Sequence, residues 1–268
     1  MLLAGMLSLA ALAGFLAGLL GIGGGLVLVP GLYYIFTSLG FNDPNIMHMA
    51  VGTSLATIVA TGISSARAHH KKSNVRFDLV KKIGIGMVIG VGIGTLIAAS
   101  VSGIWLQVFF AAALTILALL MRINPEKFKN KRDIPNQPWP AMAGTVTGVV
   151  STLMGIGGAA LNVPYMALHN VSIHRSIGTA AAMGLMVAIP GALGFLIIGW
   201  GVEDGMPPFS LGYINLLALG IIVPVTVLFA PLGVHVGHLF STRKLRNVFS
   251  IFMVIISLRM LFEVFRAL

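Results

Sequence analysis

Cysteine is absent from the 268 residues, so disulfides, cysteine metal sites and thiol catalysis are excluded. Charge is nearly as scarce: 9% of the residues are Asp, Glu, Lys or Arg, against about 25% in an ordinary soluble domain. So few ions cannot cover a surface in water. With 57% of the residues hydrophobic, lipid is the expected solvent for most of the exterior. Acids are the rarest charges, 7 against 17 Lys and Arg. None falls deep in an apolar run, which counts against a carboxylate proton relay of the kind pumps use. No HExxH pair and no nucleophile beside a His or Asp base is visible, so an intramembrane hydrolase is disfavoured. No catalytic residue, metal site or cofactor is expected.

The formal net charge is +10. In a soluble chain that excess would suggest nucleic acid, but here most of it sits in two connecting segments, as the positive-inside bias predicts. The expected partners are membrane lipid and a small anion, with no nucleic acid; the oligomeric state is left open.

Apolar runs fall at about 3–20, 26–38, 46–66, 79–100, 103–121, 140–154, 159–169, 175–199, 209–233 and 247–265. A full span needs roughly 20 residues. Two runs, 26–38 and 159–169, are too short to cross comfortably, and each follows a cluster of glycines. The first run lacks the basic start of a signal peptide and matches Met142 to Met154 further on, so it is expected to belong to the mature fold.

That match is part of a longer repeat. Leu19 to Pro30 reads LLGIGGGLVLVP and Leu153 to Pro164 reads LMGIGGAALNVP. His48 with Gly52-Thr53 pairs with His174 and Gly178-Thr179, and Gly94 through Met121 runs in step with Gly233 through Met260. The chain divides into 1–121 and 139–268, joined by a polar linker at 122–138 that holds three prolines.

Charge then sets topology. The basic segments 67–82, 122–133 and 243–246 are expected in the cytoplasm. If 139–169 crossed once, Glu203 and Asp204 would lie inside and Arg243, Lys244 and Arg246 outside, reversing the bias. If it enters and returns, the rule holds. The expected fold is therefore an all-α polytopic membrane protein of two inverted repeats. Each repeat is a broken-helix or re-entrant hairpin plus three transmembrane helices, giving eight conventional hydrophobic segments and about ten helical elements. Inverted repeats with broken helices meeting near the midplane characterise many secondary transporters.

The doubled GIGGGLVLVP and GIGGAALNVP, the two Gly-Thr pairs and the paired Gly233…Leu245-Arg-Asn-Val-Phe249 resemble the TauE/SafE sulfite exporter (TSUP) permease family over essentially the whole chain. The resemblance implies a bacterial inner-membrane permease for small sulfur-bearing anions such as sulfite, thiosulfate or sulfonates. The copies differ where Gly25 becomes Ala159 and Leu28 becomes Asn162.

Several residues are candidates for contact with such an anion. Gly21, Gly23, Gly24 and Gly25, with Gly155, Gly157 and Gly158, let the backbone come close to a ligand and expose helix N-termini to it; the alternative is tight helix packing. A nucleotide loop is disfavoured, because no Lys-Ser or Lys-Thr follows either cluster. Pro30 and Pro164 either shape or end the short helices. Thr53, Ser54, Thr57, Thr61 and Ser64 fall along one helical face, where hydroxyls can bond an oxyanion or neighbouring carbonyls. Asn162 places an amide inside the second broken element, and Thr179 repeats Thr53. His48 and His174 stand at helix starts as caps or as coupling groups. Arg67 is a candidate collector of anions, His69, His70, His235 and His238 read as interfacial, and Arg259 with Glu263 reads as an intrahelical pair.

The expected activity is transport of a small sulfur anion by alternating access; an anion channel and a non-transporting membrane scaffold are the alternatives.

Overall fold

The computed structural model describes residues 2–21, 23–41, 44–122, 133–202, 205–236 and 242–267. They form ten helices: α1 (Leu2–Leu20), α2 (Gly25–Ser38), α3 (Ile46–Lys71), α4 (Phe77–Ser100), α5 (Gly103–Arg122), α6 (Trp139–Met154), α7 (Ala159–Leu168), α8 (Ile173–Ile198), α9 (Leu216–Val236) and α10 (Thr242–Ala267). Six of them, α1, α3, α4, α5, α8 and α9, are long and apolar enough to cross a membrane. Their outer faces carry large side chains such as Leu96, Leu228 and Phe265, at 71%, 70% and 84% exposure. Apolar surface on this scale belongs in lipid. The protein is an all-α polytopic membrane protein.

Glycine stripes set how the helices meet. On α4, Gly86 lies against the Ala141 carbonyl of α6 and Gly90 against that of Thr145. In return, Gly144 and Gly148 of α6 lie against the Ile83 and Met87 carbonyls. Backbones approach this closely only where no side chain intervenes. The same seam recurs between α1 and α9, where Gly14 meets Thr226, Gly18 meets Ala230 and Gly233 meets Phe15. Residue numbers rise together along both seams, so each pair of helices runs parallel.

Two other pairs run antiparallel. Along α3 and α8, Gly52 neighbours Phe195, Leu55 neighbours Gly191 and Gly62 neighbours Leu185. Between α5 and α10, Gln107 Nε2 donates to the Met260 carbonyl at 3.3 Å. Ser257 and Ser250 hydroxyls donate to the Ala111 and Ala118 carbonyls, each at 2.8 Å.

The short helices fold back on their predecessors. Gly24 lies near Ala13 and Gly31 near Leu9, so α2 returns along α1; Gly158 lies near Ser151 and Thr147, so α7 returns along α6. Left-handed glycines make both reversals. Gly21, Gly23 and Gly24 have φ of 70°, 74° and 80°, and Gly155 and Gly158 have 64° and 77°, conformations that cost an L-residue roughly 1–2 kcal/mol. Pro30 and Pro164 end neither helix; both lie inside, in α2 and α7.

Two expectations need correction. The apolar run 209–233 is not one helix: Ser210–Leu211 and Ile214–Asn215 pair as two short antiparallel strands, and α9 starts at Leu216. Pro207 and Pro208 precede these strands and Gly212, at φ 55°, turns between them. The third span continues past residue 66 to Lys71, placing His69, His70 and Lys71 in its last turn, where positive charge complements the helix dipole. His69 is buried, with Nε2 3.1 Å from the Gly18 carbonyl. The linker at 123–132, the acids Glu203 and Asp204, and His238 lie outside the described residues.

Candidate functional site

The two hairpin tips touch in the interior. Gly25, the first residue of α2, lies against the Gly155 carbonyl, and a methyl built on it would stand 2.9 Å from Ile156 Cα. Gly155 in turn rests on Val29 and Val51. Gly23 packs on Ile58, and Gly157 faces Gly184 of α8 across a gap that a single methyl would close to 3.1 Å. Residues 23–25 and 155–159 are all buried. The structure therefore joins the two tips through Gly25 and Gly155, the C-cap of α6, while Gly23, Gly24, Gly157 and Gly158 pack against other neighbours; Gly24 and Gly158 begin α2 and α7. Neither N-cap glycine, Gly24 or Gly158, receives a side-chain cap. The first N–H groups of any helix lack intrahelical acceptors, and the dipole makes that end attractive to an anion.

The hydroxyls of α3 do not form one open stripe. Ser54 Oγ donates to the Gly155 carbonyl at 2.8 Å, which joins α3 to the second tip. Thr57 turns back to the Thr53 carbonyl at 2.9 Å. Thr61 bonds the Thr57 carbonyl and the Thr226 hydroxyl, at 3.0 and 2.8 Å, and Ser64 bonds the Val227 carbonyl at 2.9 Å. Of the five, Ser54 alone is bonded to a tip residue.

Thr53 and Thr179 instead hold the two stretches of chain to each other. Thr53 Oγ1 accepts the Asn215 N–H at 2.9 Å, and Thr179 Oγ1 accepts the Arg76 N–H at 3.0 Å. The glycine before each threonine has a matching task. Gly52 lies against the Tyr213 carbonyl and Gly178 against that of Asn74.

Asn162 is 1% exposed, and its Nδ2 donates to Met87 Sδ at 3.3 Å, a weak acceptor for a buried amide. His48 and His174 part company despite their matched positions. His48 is buried, Nε2 lies 3.0 Å from the Ala98 carbonyl, and the ring stacks on Tyr213 at 5.1 Å; His174 is exposed. Arg67 is exposed near the end of α3. Arg259 pairs with Glu263 at 3.8 Å as expected, and its guanidinium also covers the Tyr34 ring at 4.2 Å. No group of three His, Asp or Glu residues suited to a metal occurs among the described residues.

Ser151, Thr147 and Met87 were not singled out by sequence reasoning, yet all three surround Gly158. A signal for Ser151 existed: the register that pairs Gly155 with Gly21 pairs Ser151 with Ala17, so it is a polar residue gained or kept in one copy only.

Comparison with known proteins agrees with this architecture. The chain is 34% identical over 252 residues to a "Probable membrane transporter protein" of Haemophilus influenzae, covering 93% of this chain and 94% of the relative. A protein of the same description from Methanocaldococcus jannaschii is 27% identical over 96% of both chains. The probable membrane transporter protein YunE of Bacillus subtilis is 26% identical over 94% of both. No solved structure matches the chain. The sequence profile of the sulfite exporter TauE/SafE family matches residues 6–260, and the chain belongs to that family of membrane transporters.

Proposed function

We propose that this membrane transporter is an exporter of small sulfur-containing anions, such as sulfite, thiosulfate or organosulfonates, and works by alternating access across a bacterial inner membrane. It acts as a permease, not as an enzyme. The observation that carries the reading is the contact of Gly25 with Gly155, which joins the two buried tips from which the uncapped helices α2 and α7 start. Backbone is broken within a membrane only where protein or a water-lined path satisfies it, and opposed N-termini favour an anion at the break.

The helix directions support an inverted repeat. Equivalent helices of the two stretches, α3 with α8 and α5 with α10, run antiparallel, which is what a two-fold axis in the membrane plane requires; an axis along the normal would make them parallel. The basic segments 67–82, 122–133 and 243–246 then share the cytoplasmic side. An anion leaving a cell that is negative inside gains roughly 2 kcal/mol per charge at about 100 mV, enough to drive export without a coupling ion.

The test is counterflow in proteoliposomes holding the purified chain, with sulfite, thiosulfate, sulfate, sulfoacetate, taurine and carboxylate controls. Saturable exchange restricted to one or more sulfur anions is expected. Non-saturable conductance would replace the carrier by a channel, and no anion flux at all would overturn the reading.

A further inference from the structure

The two tips share a backbone but differ in side chains. On the second, Ser151 is fully buried and its Oγ has no hydrogen-bond partner. It points at Gly158, the N-cap of α7, where a built methyl would lie 3.3 Å from the oxygen. An unpaired buried hydroxyl costs roughly 1–3 kcal/mol, so its placement at a helix N-terminus calls for a use. One turn into α7, Asn162 holds its amide donor on the Met87 thioether, and the Met87 methyl reaches to within 2.9 Å of the same built atom. The first tip has none of this. Ala17 stands for Ser151 and Leu28 for Asn162; both are fully buried.

We infer that the anion is held by one tip only, the second. Ser151 Oγ, Asn162 Nδ2 and the N–H groups at the start of α7 form the subsite, and Met87 is the plug that gives up Asn162 when an anion arrives. Methionine suits that task, being unbranched, flexible and a poor acceptor. Every group in the subsite donates, and none is a cation or a base. It therefore takes an oxyanion already ionised at neutral pH, with several oxygens to share among three kinds of donor; on the transporter reading this is the sulfite or sulfonate head. The absence of a fixed positive charge keeps binding weak enough for release. The first tip serves as the wall against which the second closes. This inference rests on the transporter reading above.

Two variants test it in the full chain. Ser151→Ala removes one oxygen at nearly constant volume, and Asn162→Leu installs the residue of the first tip. Each is expected to raise the half-saturating concentration of sulfite or sulfoacetate by tenfold or more, and Ser151→Ala to unfold, without anion, at a temperature no lower than the parent's. Sulfite affected alone would assign the subsite to the inorganic ion, and both affected together to the shared head group. Parent transport with an unchanged half-saturation in Ser151→Ala would overturn the subsite and leave the transporter reading standing. If the parent shows no flux, anion-induced thermal stabilisation decides. A shift lost in Ser151→Ala sustains the subsite without transport, and no shift in the parent removes both.

Discussion

The backbone N–H of Asn215 donates to Thr53 Oγ1 at 2.9 Å. At the sequence offset that matches Gly233 with Gly94, the N–H of Arg76 makes the same bond to Thr179. Both donors are N-cap residues, of α9 and α4, so each threonine of one stretch anchors a helix start of the other. Thr53→Val and Thr179→Val keep the volume and leave an N–H unsatisfied, buried at Asn215 and half-buried at Arg76, which costs about 1–3 kcal/mol when fully buried and less at Arg76. Thermal unfolding in detergent should show the loss in both, and Ser at either position should restore most of it. A Val variant as stable as the parent would refute the anchor.

The first residue of each short helix distinguishes contact from composition. Gly25→Ala drives a methyl into the Gly155 carbonyl and the Ile156 backbone; overpacking of this kind costs typically 1–3 kcal/mol, and separating the tips should abolish transport. The converse change, Ala159→Gly, meets no such wall and should cost about 1 kcal/mol, with flux retained. Equal damage from the two would mean that the tips do not meet as described.

Gly90 and Gly92 make a similar pair on α4. Gly90 abuts the Thr145 carbonyl, whereas a side chain at Gly92 would meet nothing within 4 Å. Gly90→Leu should prevent folding, measured as monodisperse protein recovered in detergent, while Gly92→Leu should be recovered as well as the parent.

Topology has its own measurement in a chain without cysteine. Single cysteines at Lys71 and Glu203 should react with an impermeant thiol reagent from opposite membrane faces. Reaction from one face would remove the inverted arrangement.

The helices and the hairpin tips were legible because their causes are local. Apolar runs bounded by glycine, proline and basic residues place α2, α5 and α7 to within about two residues, and repeat register marks Leu28 against Asn162 as the point of difference. What escaped depends on neighbours far along the chain. Spacing puts Thr53, Ser54, Thr57, Thr61 and Ser64 on one face, but their hydrogen-bond partners lie on the second tip, the strand loop, α9 and their own helix. Ser151 looked like one small residue among many until α7 folded back over it. The strands at 210–215 were hidden because two residues apiece produce no periodicity.

The glycine seams have a consequence for how the molecule is made. α1 is synthesised well before its close partner α9; α4 likewise waits for α6, which lies beyond the linker. Until those arrive, bare carbonyls and glycine grooves face lipid, and a contact formed at such long range is slow to reward the chain. Assembly should therefore be late and concerted, and residues 1–122 and 133–268 produced separately should each be degraded unless both are present. The seams α1–α9 and α4–α6 thus make residues 1–122 and 133–268 depend on each other as the subunits of an obligate dimer do.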